Sequence, residues 1–309
     1  MYSLQFMKSM MLACCAVIIS YSASANHMTL KKAMSSKLVS VNAVGNGGAC
    51  GKCIKLELAN NTKTELELDV DPALIFVPED TTYQNLVLLG NETIALTPNS
   101  CKEFSLQTFC GKSYAKGPFA GLHYKFWRQG DSGLIKTLTF VKANNISMHL
   151  AQCSVWVFTN FKCINTVYSS LDPRMSESLV KFIASLRNNR MPDYFVENEL
   201  NDRPGQLVLV PDREKVIVTM HWGAEDGYRR MRLSIFRENG ELYREIEADQ
   251  IIDKIGFTVQ VSFDPRKDPK GVYFVQLHDD ANKVWDQKKI VVGVSECELQ
   301  LFQNGRGRG

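Results

Sequence analysis

Strict two-residue alternation of apolar and polar side chains constrains this chain more than any other feature. Val216, Val218, Met220 and Trp222 point one way, while Ile217, Thr219 and His221 point the other. Met231, Leu233 and Ile235 alternate with Arg230, Arg232 and Ser234, and Phe257, Val259, Val261 and Phe263 with Thr258, Gln260 and Ser262. Successive side chains of an extended strand leave the backbone on opposite faces, so each run predicts a strand with one face buried. The N-terminal half repeats the pattern in shorter pieces. Ile54, Leu56 and Leu58 share one face, and Leu66, Leu68 and Val70 oppose Glu65, Glu67 and Asp69, with the hairpin-like turn Asn60-Asn61-Thr62-Lys63 between them. The expectation is a mainly β protein.

Apolar runs at 74–77, 86–89, 94–96 and 104–109 are punctuated by Pro78, Gly90-Asn91 and Pro98-Asn99. This spacing predicts an N-terminal β-sandwich over residues 50–130, with a small open barrel as the alternative. The period then changes. Ile146, His149, Leu150, Cys153 and Val157 recur at helical spacing behind Asn144-Asn145, and Asp172-Pro173 opens the stripe Leu179, Phe182, Ile183 and Leu186, closed by Arg187 and Arg190. Residues 131–200 therefore read as a helical appendage packed on the sandwich, ending at Met191-Pro192. The polar stretch 198–205, with Pro204-Gly205, reads as the domain boundary.

Beyond it, runs at 207–210, 272–277 and 290–292, and the turn Asn239-Gly240 into Leu242 and Ile246, join the three alternating segments. Seven strands in about ninety residues is the strand count of an immunoglobulin-like sandwich, predicted over 206–293 and followed by a tail, 294–309. Residues 26–49 are polar and end in Gly45-Asn46-Gly47-Gly48, which reads as a leader or linker. The first 25 residues fit a secretory signal: Lys8, an apolar run at 10–19, and Ala23-Ser24-Ala25 as the cleavage site. That run is about half the ~20 residues a spanning helix needs, so no transmembrane anchor is expected.

Cleavage after Ala25 removes Cys14 and Cys15 and leaves Cys50, Cys53, Cys101, Cys110, Cys153, Cys163 and Cys297. In an oxidising compartment the first six are disulfide candidates, with Cys153 and Cys163 the best local pair and Cys297 the expected free or intermolecular thiol. Cys50-Gly51-Lys52-Cys53 also has the spacing of a redox dithiol or half a zinc site. A Gly-rich coil precedes it and a strand follows it, where a reactive pair needs a helix N-terminus, and no second Cys pair or His pair completes four ligands. The reading is structural, with no metal and no cofactor. Phosphate-loop, dinucleotide, nucleophile-elbow and zinc-protease motifs are absent from the sequence, so no catalytic residue is assigned.

Charge adds an exclusion. Thirty-six Lys and Arg against 33 Asp and Glu give a net +3, too balanced for a nucleic-acid binder. The segment most suited to a ligand is aromatic: Tyr114, Phe119, Tyr124, Phe126 and Trp127, with Arg128 and interleaved lysines, a mixture that stacks on sugar rings or a peptide.

Leu233-Ser-Ile-Phe-Arg-Glu-Asn-Gly-Glu-Leu, Asp268-Pro-Lys-Gly-Val-Tyr-Phe-Val-Gln-Leu and Lys288-Lys-Ile-Val-Val carry a resemblance over residues 206–293. This region resembles the Ig-like C-terminal modules of bacterial secreted proteins, of the type IX secretion sorting and flagellar-hook-cap kinds. The Pro-Asn-Pro turn that usually opens the sorting domains is missing, and the chain runs on to Gly309. The resemblance implies a bacterial protein that is secreted, periplasmic or on the outer surface, with export machinery, a cell-surface protein or a glycan as partner. The expected function is non-catalytic binding or support, with the C-terminal module used for spacing, sorting or attachment. The alternative is an extracytoplasmic thiol-disulfide oxidoreductase using Cys50 and Cys53.

Overall fold

The computed structural model describes residues 26–222, 229–252 and 257–293. The expected signal segment, Cys297 and the tail lie outside them. The chain is mainly β, with strands in several sheets and four α-helices among the described residues. None of those helices is long and apolar enough to cross a membrane. Two compact units form: one from residues up to Val41 with Glu57–Val70 and Glu92–Glu103, the other from Asn42–Leu56, Asp71–Asn91 and the chain from Phe104 onward.

In the first unit, β1 (Asn26–Thr29) runs parallel to β4 (Leu66–Asp69), which pairs antiparallel with β7 (Thr93–Leu96). Alternation is realised there: Leu66, Leu68, Ile94 and Leu96 are buried. Helix α1 (Leu30–Ser35) buries Leu30 and Ala33 and is capped by Thr29, whose Oγ1 accepts from Lys32 N at 3.2 Å. The buried side chain of Asn60 organises the turn that follows it. Its amide donates to the carbonyls of Thr64, Leu96 and Thr97 at 2.9, 3.3 and 3.0 Å, and its Oδ1 accepts from Thr62 N and Oγ1. The Thr64 and Thr97 carbonyls keep other donors in Thr62 Oγ1 and Ser100 N, so Asn60→Ala costs chiefly its own lost bonds, with an expected loss of about 2 kcal/mol in urea unfolding. The 60–65 turn is not a hairpin, because the strand ending at Asn60 and the strand starting at Leu66 belong to different sheets.

The expected N-terminal sandwich is a closed barrel. Strands β2 (Val39–Asn46), β3 (Cys50–Asn60), β8 (Cys101–Cys110), β6 (Leu86–Leu88), β5 (Leu74–Pro78) and β9 (Ala120–Gln129) follow one another around it. Closure comes from β2, which pairs antiparallel with β9 through Ala43 and Tyr124, and Val44 and His123. Residues 26–49 are therefore not a leader: they supply β1, α1 and the closing strand. Small residues hide that strand from hydropathy, yet smallness is what closure requires. A Cβ on Gly45 would stand 2.8 Å from Phe119 O. A closed barrel has no free edge, which removes the usual aggregation hazard of a sheet.

Three helices follow where two were expected. Helix α2 (Ser132–Ala143) begins at Asp131, whose carboxylate accepts from Leu134 N at 2.8 Å. Helix α3 (Met148–Thr159) begins at Ser147, not at Asn144-Asn145; Asn144 ends α2 and Asn145 makes the left-handed link at φ 49°. Helix α4 (Pro173–Arg187) has the Asp172 cap and Pro173 start read from the sequence. Leu138, Leu150, Val157, Leu179 and Ile183 of these helices share a core with Ile75, Val87 and Phe109 of the barrel strands.

The remaining strands are β10 (Phe195–Leu200), β11 (Leu209–Trp222), β12 (Arg229–Arg237), β13 (Leu242–Ile252), β14 (Phe257–Phe263), β15 (Gly271–Asp279) and β16 (Val284–Val292). They form an antiparallel sheet β10-β11-β14 and a second, β13-β12-β15-β16. Val216, Val218, Met220, Leu233, Ile235, Val261, Val275 and Leu277 from both sheets share one core. Seven strands were expected within 206–293; among the described residues six lie there, because runs 207–210 and 216–222 belong to one strand, and the seventh, β10, lies in the stretch read as helix end and connector.

At the end of β14 the Asp264 carboxylate accepts two bonds from the Arg266 guanidinium, both at 2.9 Å, and one from Arg266 N. These bonds hold its pKa down at about 2. A depressed carboxyl contributes stability that is present above the unfolded value near 3.8 and is lost as pH falls toward 2. Carboxyl-resolved NMR titration should give that low midpoint, and Arg266→Ala should return it toward the unfolded value.

Candidate functional site

Strand β9 is the element on which exposed aromatic side chains gather. Along it Leu122 and Tyr124 turn inward, and the Tyr124 hydroxyl donates to Gln84 O at 3.3 Å. The ladder with β5 then slips: Phe76 faces Phe126 and Ile75 faces Arg128, leaving Trp127 as the extra residue of a bulge. The bulge breaks the inward-outward alternation, so Phe126, Trp127 and Arg128 are all exposed, Phe126 at 37% and Trp127 at 53%. Phe126 is braced edge-on by Phe76, ring centroids 5.8 Å apart. The Arg128 guanidinium lies 4.3 Å from the centre of the Trp127 ring. Lys125 pairs with Glu79 at 3.3 Å on the same strand pair.

The six aromatic-segment residues do not make one surface. Tyr124 belongs to the core. Tyr114, 63% exposed, lies in the loop after β8, and Phe119 precedes β9 with its ring edge-on to Tyr83 at 5.1 Å. Phe119 and Trp127 lie toward opposite ends of β9. The sequence pattern located the strand but not the bulge, which needs the partner's register.

Five of the disulfide candidates, Cys50, Cys53, Cys101, Cys110 and Cys153, are free thiols, so the expected Cys153–Cys163 bridge is not formed. Cys163 is disulfide-bonded. Cys153, on α3, lies inside the apolar core shared by barrel strands, α4 and Val167 and Tyr168 of the segment after its own helix. Cys101 and Cys110 stand at opposite ends of β8. Cys50 and Cys53 sit on β3 with no helix N-terminus of their own strand to lower a thiol pKa. Burial instead pushes Cys53 up to about 11 and Cys153 up to about 12, raises Cys50, and holds Cys110 well above the ordinary thiol range. Cys101 is raised by desolvation and by the neighbouring Glu57. At neutral pH these groups are overwhelmingly thiols, so thiolate attack by any of them is slow. With iodoacetamide at pH 8, Cys50 and Cys101 should label first, and Cys53, Cys110 and Cys153 only on unfolding, a sequence that mass mapping of labelled peptides would check. No group of three or more His, Cys, Asp or Glu side chains among the described residues is placed to hold a metal ion.

Sequence reasoning missed the polar device behind this region. Three side-chain amides clamp the backbone from Cys110 to Ala115. Gln152, buried on α3, accepts from Cys110 N and donates to Cys110 O, both at 2.8 Å. Asn160 accepts from Ser113 N and donates to Gly111 O at 2.9 Å. Gln84 accepts from Lys112 N and donates to Ala115 O, both at 2.7 Å. Each amide offers a donor and an acceptor to backbone groups that no strand partner satisfies. The only sequence signal was a glutamine inside an apolar helical stripe. Together the clamps rigidify the loop that carries exposed Tyr114.

No protein-family model matches the chain, and no curated protein matches it. The crystal structure of beta-glucosidase from Kluyveromyces marxianus in complex with glucose is similar over 78% of this chain and 45% of its own, at 8% identity and a TM-score of 0.19. The chain thus spans less than half of that neighbour, and a likeness at this score carries no argument about fold or activity.

Proposed function

We propose that the chain is an exported, non-catalytic binding protein whose barrel contacts a cell-surface glycan through Phe126, Trp127 and Arg128, while the C-terminal strands act as an Ig-like sandwich for spacing or attachment. The observation that carries this reading is the bulge at Trp127, which turns an indole, a phenyl ring and a guanidinium outward together. The C–H face of a sugar ring stacks on an exposed aromatic ring, and its hydroxyls accept hydrogen bonds from a neighbouring guanidinium. Phe76 braces Phe126 and Arg128 lies over Trp127, so little side-chain freedom is lost on binding. The thiol-disulfide alternative has weaker support, because Cys50 and Cys53 are held protonated by desolvation.

Isothermal titration of the full chain against gluco-, xylo-, manno- and chito-oligosaccharides tests the reading. One series should bind, and Trp127→Ala should weaken it at least tenfold without changing the melting temperature. Equal affinity in the variant, or no binding to any series, removes the glycan assignment.

A further inference from the structure

Three thiols that the binding role leaves unused converge on one stretch of backbone. The Cys110 thiol donates to Ala49 O at 2.8 Å. A Cβ on Gly48, the preceding residue, would stand 3.6 Å from Cys53 Sγ. Thr108 hydrogen-bonds with the Cys53 side chain and lies 3.5 Å from Gly51 O, which sets this end of β3 against β8. Side chains two apart on a strand share a face, so Cys110 stands on the face of β8 that Cys53 meets through Thr108. Cys53 and Cys110 are buried, and Cys50 is exposed.

We propose that in the oxidised protein Cys53 and Cys110 are joined by a disulfide between β3 and β8, with Cys50 as the thiol through which the oxidising equivalent enters. Both sulfurs lie against the backbone of Gly48 and Ala49, and a bridge needs about 4.4–6.8 Å between Cα atoms, so closure asks the ends of β3 and β8 to draw together around that segment. Gly51, at φ +95° with open space around it, gives β3 that freedom. The oxidant is a disulfide, R–S–S–R. Cys50 thiolate attacks it, forming a mixed disulfide and releasing one RSH once the leaving thiolate is protonated. Cys53, losing its proton to solvent, attacks the Cys50 sulfur and releases the second RSH. Cys110, likewise deprotonated, attacks the Cys53 sulfur, closes the final bond and returns Cys50 to the thiol. Two protein thiols are oxidised and one R–S–S–R is reduced to two RSH.

The test treats the reduced full chain with oxidised glutathione, blocks remaining thiols with N-ethylmaleimide and maps linked peptides. The expected product links Cys53 to Cys110, leaves Cys50 and Cys101 alkylated, and melts at a higher temperature than the reduced chain. The rise should vanish in Cys110→Ser and persist in Cys101→Ser, and Cys50→Ser should form the same bond at least tenfold more slowly. A bond from Cys53 or Cys110 to any other cysteine, or alkylation of both in the wild-type chain after denaturation, overturns the proposal; Cys163, which is disulfide-bonded, is expected in a linked peptide of its own. That mapping requires no variant to fold.

Discussion

Gln152→Leu is expected to destabilise the protein by about 4 kcal/mol, because it removes the side chain that bonds both backbone groups of Cys110 and leaves N–H and C=O buried without partners among the described residues at about 1–3 kcal/mol each. Leucine keeps the volume and improves helix propensity, so packing and local conformation do not mask the loss. Urea unfolding followed by circular dichroism reads the effect. A change below about 1 kcal/mol would mean that water or a shifted backbone satisfies Cys110, and that the loop is not held as described.

A comparable loss is expected from Gly90→Ala. Gly90 follows β6 with φ +72°, and a Cβ there would lie 2.5 Å from both Pro72 N and Pro72 Cα and 2.7 Å from the Asp71 carbonyl carbon. Those are backbone atoms, and a proline cannot rotate out of the way. The left-handed conformation alone costs roughly 1–2 kcal/mol for a residue with a side chain, and displacing two strand-connecting backbones raises the total to about 4 kcal/mol. Gly240→Ala is the matched control. It has φ +82° but nothing within 4 Å of the added carbon, so only the conformational part, about 1 kcal/mol, should appear. Equal losses at the two sites would show that the close approach of Gly90 to Pro72 contributes nothing.

What could be read from the sequence depended on the scale of the signal. Alternation at 216–222, 231–235 and 257–263 became β11, β12 and β14 because strands with one buried face must repeat every second residue. Asp172-Pro173 marked a helix start because cap and first-turn chemistry are local. Barrel closure was not legible, since β2 closes it with Ala43, Val44 and Gly45, residues chosen for small size rather than hydropathy. Helix α2 was passed over although Leu134, Leu138 and Val141 carry its stripe behind Asp131, because the Asn144-Asn145 pair read as the start of the next helix instead of the end of this one.

The site divided in the same way. Sequence placed Phe126, Trp127 and Arg128 on a strand with an aromatic bias. It could not show that a register slip against Ile75 and Phe76 turns three consecutive side chains outward, nor that Tyr124 two residues earlier is core. Cysteine spacing suggested bridges, but pairing depends on which strands become neighbours, and β3 meets β8 only in the assembled barrel. The amide clamps left almost no local signature: Gln84 is far along the chain from Gln152 and Asn160, which lie on and at the end of α3, and all three converge on residues 110–115 only in three dimensions.

The central claim is that the outward aromatic step on β9, and not the thiol chemistry of β3, performs the function. Native electrophoresis through gels containing soluble glucan, xylan, mannan or glycol chitin compares wild type, Trp127→Ala and the double variant Cys50→Ser/Cys53→Ser most directly. Retarded migration of wild type and the cysteine variant in one polysaccharide, with free migration of Trp127→Ala, is the predicted result; Trp127→Ala retarded like wild type, or retardation lost with the cysteines alone, would contradict the account.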